Sequence, residues 1–475
     1  MLIEQIYTGC LSQGAYYIES NGEAAIIDPL REPTPYLQRA ARSGAKIKYI
    51  LETHFHADFV SGHLDLHRKT GAEIVYGPNA EAAFPIHLAY DGEELPLGRC
   101  TIKVMHTPGH TMESVCYLLV DEKGHENALF TGDTLFINDV GRPDLAQKID
   151  ASLTPEMLAG HLYDSLRNKI MPLRDNILIY PGHGAGSACG KNLGDARYDT
   201  LYGQKRHNYA LQPDLSKSEF IQRVTSGLPA PPAYFPMNVR MNKKGYEPFE
   251  KVMARGYDPL EPTEFKAIAR ETGAILLDAR NPEAFAAGHI PGSINIGIDG
   301  NFAPLACALI PDPEEPILIV AEEGRQKEVI TRLARVGLDL CLGYLQGGIE
   351  SWKAAGKKTD RIRSVTALEL AEVLRLAPVH IVDVRSPREF EDSHVLGAEN
   401  MPLESINQQM NRLDRHKTYY IYCGGGYRSV TFISILKARG FNYLINVMEG
   451  FRSIRSSAAI CITNDVTSSW SLPVK

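Results

Sequence analysis

Between Thr53 and His63 the chain reads THFHADFVSGH. His54-x-His56-x-Asp58 is a metal-binding run of the H-x-H-x-D-H type. Its last slot, where a histidine would serve a second metal, holds Phe59, whose ring has no lone pair to offer. Further ligand-type residues follow in order: His110 in TPGHT, Asp133 in TGDTLF and His183 in YPGHG, each beside Gly or Thr. Ten of the fifteen histidines lie between His54 and His183. A lone histidine on an apolar face is usually a satisfied core residue. Six ligand-type residues in this order, each at the end of a strand-like run, point to a metal centre instead. With Phe59 in place, a second metal would keep only Asp58, His183 and a bridging Asp133. That predicts a weak second site or none.

A different chemistry sits near the other end, in YCGGGYRS (422–429). Cys423 closes an apolar run, and Gly424, Gly425 and Gly426 let the backbone curl so that N–H groups point at one sulfur. Arg428 adds positive charge. Such a loop stabilises a thiolate or a persulfide anion and makes Cys423 a sulfur-carrying nucleophile. Tyr427 and the three glycines are expected to line its substrate site.

The elements that must position these groups are legible in outline. The runs 24–29, 47–54, 72–77, 101–109, 114–120, 127–133 and 176–184 are apolar and β-branched, bounded by turn residues. Several end in His or Asp, so the ligands sit on one edge of a sheet. A polar, helix-like tail runs to about 225, and the proline-rich stretch 227–248 breaks all periodicity and reads as a surface linker. The rest is an internal repeat. LLDARNPEAFAAGHIPGSIN (276–295) matches IVDVRSPREFEDSHVLGAEN (381–400) at an offset of 105. LIVAEEGRQ (318–326) matches YIYCGGGYR (420–428) at an offset of 102. Two copies of one α/β domain are implied. In the first copy Ala321 replaces the cysteine, Gln326 the arginine, and Glu322 and Glu323 make the loop negative. That copy is read as inactive in sulfur transfer, with a role in spacing, docking or contact with a second chain. Cys307 and Cys341 fall outside its loop.

A chain of 475 residues implies two to four domains. Hydrophobic residues make up 44%, charged residues 23%, and the net charge is −7 without a Lys/Arg block, which argues against nucleic acid. No apolar run reaches the roughly 18 residues of a membrane span. The first residues lack a basic-then-apolar leader. The eight cysteines are scattered without a CxxC, which suits a reducing cytoplasm.

The first segment, about 1–235, resembles the metallo-β-lactamase superfamily, within it glyoxalase II and the persulfide dioxygenases. The resemblance implies an αββα sandwich with a metal site at the sheet edge. In persulfide dioxygenases one iron is bound by positions that are His54, His110 and Asp133 here, two histidines and a carboxylate with positions left open for a persulfide sulfur and O2. His56, Asp58 and His183 then orient ligands or water. The iron relatives usually keep the fourth histidine, so Phe59 departs from them as well. GRPDL (141–145) resembles their thiol-carrier segment, which assigns Arg142 to a carboxylate of the substrate thiol; the bland alternative is a surface turn with an Arg–Asp pair. Cys189 is either near the metal mouth or a packing residue. About 363–460 resembles rhodanese.

The expected architecture is α/β multidomain: an αββα sandwich over 1–235, a linker over 236–255, an inactive rhodanese-like domain over 256–357 and an active one over 363–475. This order resembles bacterial persulfide dioxygenase–sulfurtransferase fusions of sulfide detoxification. It implies one Fe(II) per chain, substrates that are a small thiol persulfide, O2 and sulfite or thiosulfate, no nucleic acid, no membrane, a cytoplasmic setting and a homo-oligomer as one possibility. The competing readings are a dizinc thioester hydrolase fused to a rhodanese, and a non-enzymatic persulfide carrier with a structural metal.

Overall fold

The computed structural model describes residues 1–145 and 152–463. The end of the expected last domain, 464–475, lies outside the described residues. The chain divides into two compact units, Met1–Lys251 with Leu333–Gly337, and Val252–Arg332 with Leu338–Lys475.

The first unit is built on two six-stranded sheets. One runs in the order Leu2–Thr8, Gln13–Ser20, Glu23–Ile27, Lys46–Leu51, Glu73–Tyr76, His87–Leu88. Its first three strands are antiparallel neighbours and the rest pair parallel. The other runs Asp199–Thr200, Leu178–Pro181, Glu126–Gly132, Val115–Val120, Cys100–His106, Glu94–Leu97. The sheets face each other across one core. Tyr16, Ile18, Ile27 and Leu51 meet Val104, Tyr117, Leu119 and Phe130 there. Strand Val115–Val120 shows why its run is apolar throughout. Val115, Tyr117 and Leu119 face the partner sheet, while Cys116 and Leu118 face Leu162, Leu166 and Phe220 of the outer layer. Strand alternation buries both faces when helices cover the sheet. Helix Pro155–Ser165 supplies part of that cover, and helices Thr34–Ser43 and His63–Thr70 bury Tyr36, Ala40, Leu64 and Leu66 in the same unit.

The stretch 236–255, expected as a linker, is largely helical rather than irregular. Phe235–Lys244 and Phe249–Gly256 are helices, and the first closes with buried Phe235, Val239 and Asn242. Pro236 stands in its first turn, where a missing N–H costs nothing. Pro236, one of the prolines that read as breakers, marks a helix start.

The second unit holds the two copies of the repeat. Each has a five-stranded parallel sheet of the same order: Pro259–Leu260, Cys341–Leu345, Ile317–Val320, Ile275–Asp278, Ile294–Asn295 in one, and Arg363–Val365, Leu444–Val447, Tyr419–Tyr422, His380–Asp383, Glu399–Asn400 in the other. The shared residues of the repeat are braces. Arg280 is bidentate on Asp278 and Arg385 on Asp383. Asn295 and Asn400 cap the carbonyls of Asp278 and Asp383. Phe285 stacks on His289 at 4.0 Å and Phe390 on His394 at 3.6 Å.

Candidate metal centre and sulfur-transfer loop

The ligand-type residues follow the carboxyl ends of strands, as expected. Asp28 succeeds Glu23–Ile27, His54 succeeds Lys46–Leu51, Asp133 succeeds Glu126–Gly132, and His183 succeeds Leu178–Pro181. Chain turns at these ends are tight. Gly132 sits at φ +47, and a Cβ there would meet Thr53 Oγ1 at 2.4 Å; a Cβ on Gly182 would meet Asp133 Oδ1 at 2.7 Å.

His54, His110 and Asp133 come together, with one ligand atom from each within 4.8 Å of the others. Asp133 Oδ2 lies 3.5 Å from His110 Nε2 and 3.9 Å from His54 Nε2. All three are at most 2% exposed. Neither Asp133 oxygen has a hydrogen-bond partner among the described residues. A buried carboxylate without donors is costly unless a cation faces it, so this donor set fits a metal ion. The opposite ring nitrogens are engaged. His110 Nδ1 donates to the Arg142 carbonyl at 2.9 Å. Thr53 Oγ1 donates to Asp28 Oδ2 at 2.9 Å and so accepts from His54 Nδ1 at 3.0 Å. Both rings therefore turn an Nε2 lone pair toward Asp133, as metal-binding imidazoles do. Burial, followed by the neighbouring His56, His110 and His183, holds His54 well below the usual histidine value, in its neutral ligand form.

His56 groups elsewhere. Its Nε2 is 3.1 Å from Asp28 and 3.4 Å from Glu52. Burial opposes its charge, but those two carboxylates outweigh burial and raise it well above the usual value. Phe59 is fully buried and stacks on the His56 ring at 4.2 Å. Asp58 and His183 lie on the other side of Asp133: His183 Nε2 is 3.4 Å from Asp58 Oδ2 and 3.6 Å from Asp133 Oδ1.

Arg142 differs from expectation. It is 2% exposed, and four of its five guanidinium N–H groups are committed inside the fold, to both Asp144 oxygens and to the carbonyls of Ala188 and Pro229. An arginine so engaged has little left for a substrate carboxylate. It ties the 188 loop to the His110 shell instead. Sequence reading also missed Asn242, whose Nδ2 donates to the carbonyls of His56 and Phe59 while its Oδ1 accepts from Ser61 N–H. The helix once read as linker thus fixes the backbone of the metal run.

At the transfer loop, strand Tyr419–Tyr422 delivers Cys423 to the N-terminal end of helix Tyr427–Ala438, with Gly426 at φ +95 between them. Gly426 N–H donates to Cys423 Sγ at 3.1 Å, and Ser429 Oγ lies 3.5 Å away. Amide and helix terminus both favour a sulfur anion. Arg428 is less free than expected: it makes a bidentate pair with Glu389 at 2.7 Å, which draws the Glu389 carboxyl down to about 2. Tyr427 turns toward the first copy, donating to Gly297 O at 2.6 Å. Gly425, Gly426 and Tyr427 form one side of a cavity of about 690 Å³ whose other side is Pro282, Glu283 and Ala286 of the first copy. In that copy Ala321, at the cysteine position, is buried.

Fold and site together define a metal-binding αββα sandwich followed by two rhodanese-like domains. The metallo-beta-lactamase superfamily model matches residues 8–183, and the rhodanese-like domain model matches 261–355 and 366–457. A metallo-beta-lactamase structure from Staphylococcus aureus is 32% identical, with a TM-score of 0.63 over 73% of this chain and 98% of that one. The chain belongs to the metallo-beta-lactamase superfamily. Among curated proteins it is 36% identical over 167 residues to the hydroxyacylglutathione hydrolase of Rhizobium etli, covering 35% of this chain and 58% of that one. It is 34% identical over 163 residues to the persulfide dioxygenase ETHE1 of Homo sapiens, covering 34% and 59%. The chain spans only 58% to 66% of the lengths of the first curated relatives. Among the described residues no helix is long and apolar enough to cross a membrane.

Proposed function

We propose that this chain oxidises the terminal sulfur of a small-thiol persulfide to sulfite with O2 at one iron, and that Cys423 transfers sulfane sulfur to that sulfite. The observation that carries the reading is the grouping of two histidines and one carboxylate, His54, His110 and Asp133, while His56 faces Asp28 and Glu52 and Phe59 fills the fourth histidine's slot. That donor set suits non-haem Fe(II), which when bound supplies open positions and the electron chemistry that O2 requires. The likeness to a named persulfide dioxygenase supports it. So does Cys423 in the same chain, because both halves handle the same sulfane sulfur.

The balance is RSSH + O2 + H2O → RSH + SO3²⁻ + 2H⁺. The outer sulfur gives up four electrons to O2 and leaves the thiol behind. The Cys423 thiolate then attacks the outer sulfur of a second persulfide, releasing RSH. Sulfite removes that sulfur as thiosulfate and restores the thiolate. The Gly426 amide and the helix terminus hold the anionic sulfur through both transfers. Thr53 and the Arg142 carbonyl keep the two imidazoles oriented. Tethering raises the effective concentration of each half for the other.

Hydrolysis of a glutathione thioester is the second reading, favoured by the hydroxyacylglutathione hydrolase likeness and by the adjoining Asp58–His183 pair. An O2-electrode trace with a small-thiol persulfide, run beside a thioester hydrolysis assay on the same anaerobically purified protein, separates them. O2 uptake with sulfite as first product supports the dioxygenase; thioester cleavage without O2 uptake rejects it.

A further inference from the structure

The first copy of the repeat closes one side of the cavity of about 690 Å³ beside the transfer loop. The opposite wall runs up to the sulfur of Cys423. Gly426, which lines it, donates its N–H to Cys423 Sγ at 3.1 Å. Asn446, also in the wall, accepts from Ser429 Oγ at 2.8 Å, and that hydroxyl lies 3.5 Å from the same sulfur. Ser364 extends the polar wall, its Oγ accepting from Asn446 Nδ2 at 3.4 Å. Several hundred Å³ with a few convergent polar groups is the size of a small-molecule site.

Three charged side chains line that cavity: Glu449, Arg361 and, from the first copy, Glu283. All three are exposed, and among the described residues no hydrogen bond or ion pair holds their charged groups. Glu449 is also strained. It stands at φ +56, in the left-handed region, on the turn into helix Gly450–Ser457. LQGGIESW (345–352) and VMEGFRSI (447–454) match at an offset of 102, so Gly347, at φ +67, takes the same place in the first copy. Glycine adopts that backbone freely, whereas glutamate holds it at a cost in energy. Packing does not explain the glutamate, because its side chain is exposed. An unpaired carboxylate kept on a strained turn beside a sulfur-holding loop has the mark of a ligand contact.

We propose that this cavity binds the carrier of the persulfide that loads Cys423, and that it selects a short peptide thiol with a free amino group and a free carboxylate. Glu449 pairs with the ammonium and Arg361 with the carboxylate. Two carboxylates against one guanidinium leave the cavity negative, which disfavours a carrier bearing several phosphates. The first copy, with Ala321 in place of a cysteine, thereby supplies a wall of its neighbour's substrate site. The inference rests on Cys423 as the sulfur carrier and deepens that reading by naming the class of donor. In the transfer, the Cys423 thiolate forms a bond to the outer sulfur and the donor's S–S bond breaks. The persulfide proton leaves on the released thiol, and Cys423 keeps the outer sulfur as a persulfide anion. No outside oxidant or reductant is needed.

The test is thiosulfate formation from sulfite and a persulfide by the full chain under argon, where no O2 is present to oxidise the donor. Glutathione persulfide, its N-acetylated form and coenzyme A persulfide serve as donors. Wild type should take glutathione persulfide with a KM about 5-fold below that of either other donor, the upper end of what one exposed ion pair contributes, with kcat little changed. Glu449→Gln should raise the KM for glutathione persulfide to that of the N-acetylated donor and leave the latter's KM where it was. Arg361→Gln should raise the KM for both glutathione donors alike and not for coenzyme A persulfide. Glycine already occupies this turn in the first copy, so Glu449→Gly decides the matter should Glu449→Gln fail to fold. Equal KM values for all three donors in wild type, or an N-acetyl penalty that persists without Glu449, overturns the site. No thiosulfate from any donor would defeat the sulfur-carrier reading itself, and this inference with it.

Discussion

Replacing Asn242 with alanine should loosen the metal centre from outside it. Asn242 is fully buried and makes three hydrogen bonds to the metal run: to the carbonyls of His56 and Phe59 at 2.8 Å each, and from Ser61 N–H at 2.9 Å. Each such bond contributes about 1 kcal/mol net, so their loss alone costs about 3 kcal/mol. The truncation also strands two carbonyls and an amide in the interior, which raises the cost to about 3–5 kcal/mol. For a domain of this size each kcal/mol shifts Tm by about 2–4 °C, giving a drop of about 6–20 °C in the transition of the first unit. Differential scanning calorimetry of the full chain, with metal content measured on the same samples, reads both effects. Arg240→Ala, exposed on the same helix, should leave the transition where it was. An Asn242→Ala protein that melts with wild type and keeps its metal would refute the claim that this helix braces the 53–63 run.

Cys423→Ser should keep O2 uptake while the product shifts from thiosulfate to sulfite, because its hydroxyl cannot carry sulfur; unchanged thiosulfate yield, followed by ion chromatography, would count against it. Intact-protein and peptide mass spectrometry after persulfide treatment should place one added sulfur on Cys423 and none on Cys307 or Cys341. Burial pushes both of those thiols up, Cys341 to about 12, so neither forms the attacking thiolate near neutrality. The Glu389–Arg428 pair gives a pH signature. Arg428 lowers the Glu389 carboxyl from the ordinary 4.5 to about 2, so the pair's stabilisation is present above about 4.5 and is lost as pH falls toward 2. Glu389 is 38% exposed, so Glu389→Gln should cost no more than about 1 kcal/mol at neutral pH, with the difference vanishing near pH 2; a difference independent of pH in denaturant titrations would refute the pairing.

The grouping of candidate ligands was legible because His54, His110, Asp133 and His183 each follow an apolar run, where a polar residue has no packing role. The repeat was legible because its braces recur: Asp278–Arg280 and Asp383–Arg385 do the same work in both copies. Partnerships across the chain were not. Arg142 reads as an available cation until Asp144 and the Pro229 carbonyl, 87 residues away, are seen to hold it. Asp28 and Glu52 end strands that were read as apolar runs, and their claim on His56 depends on two strands lying side by side in parallel. Cys189 carries no local signal beyond its distance from His183. The helix Phe235–Lys244 was misread because proline near its start resembles proline that prevents a helix, and only the buried Asn238 and Asn242 distinguish the two.

The proposed oxidation requires one iron at His54, His110 and Asp133 that consumes O2. Elemental analysis of anaerobically purified wild type and His110→Ala, paired with O2-electrode traces on a small-thiol persulfide, tests it most directly. Wild type should hold about one iron per chain and show persulfide-dependent O2 uptake, with both lost in His110→Ala while sulfur transfer from thiosulfate through Cys423 persists. Zinc alone in fully active protein, or O2 uptake that survives His110→Ala, would contradict it.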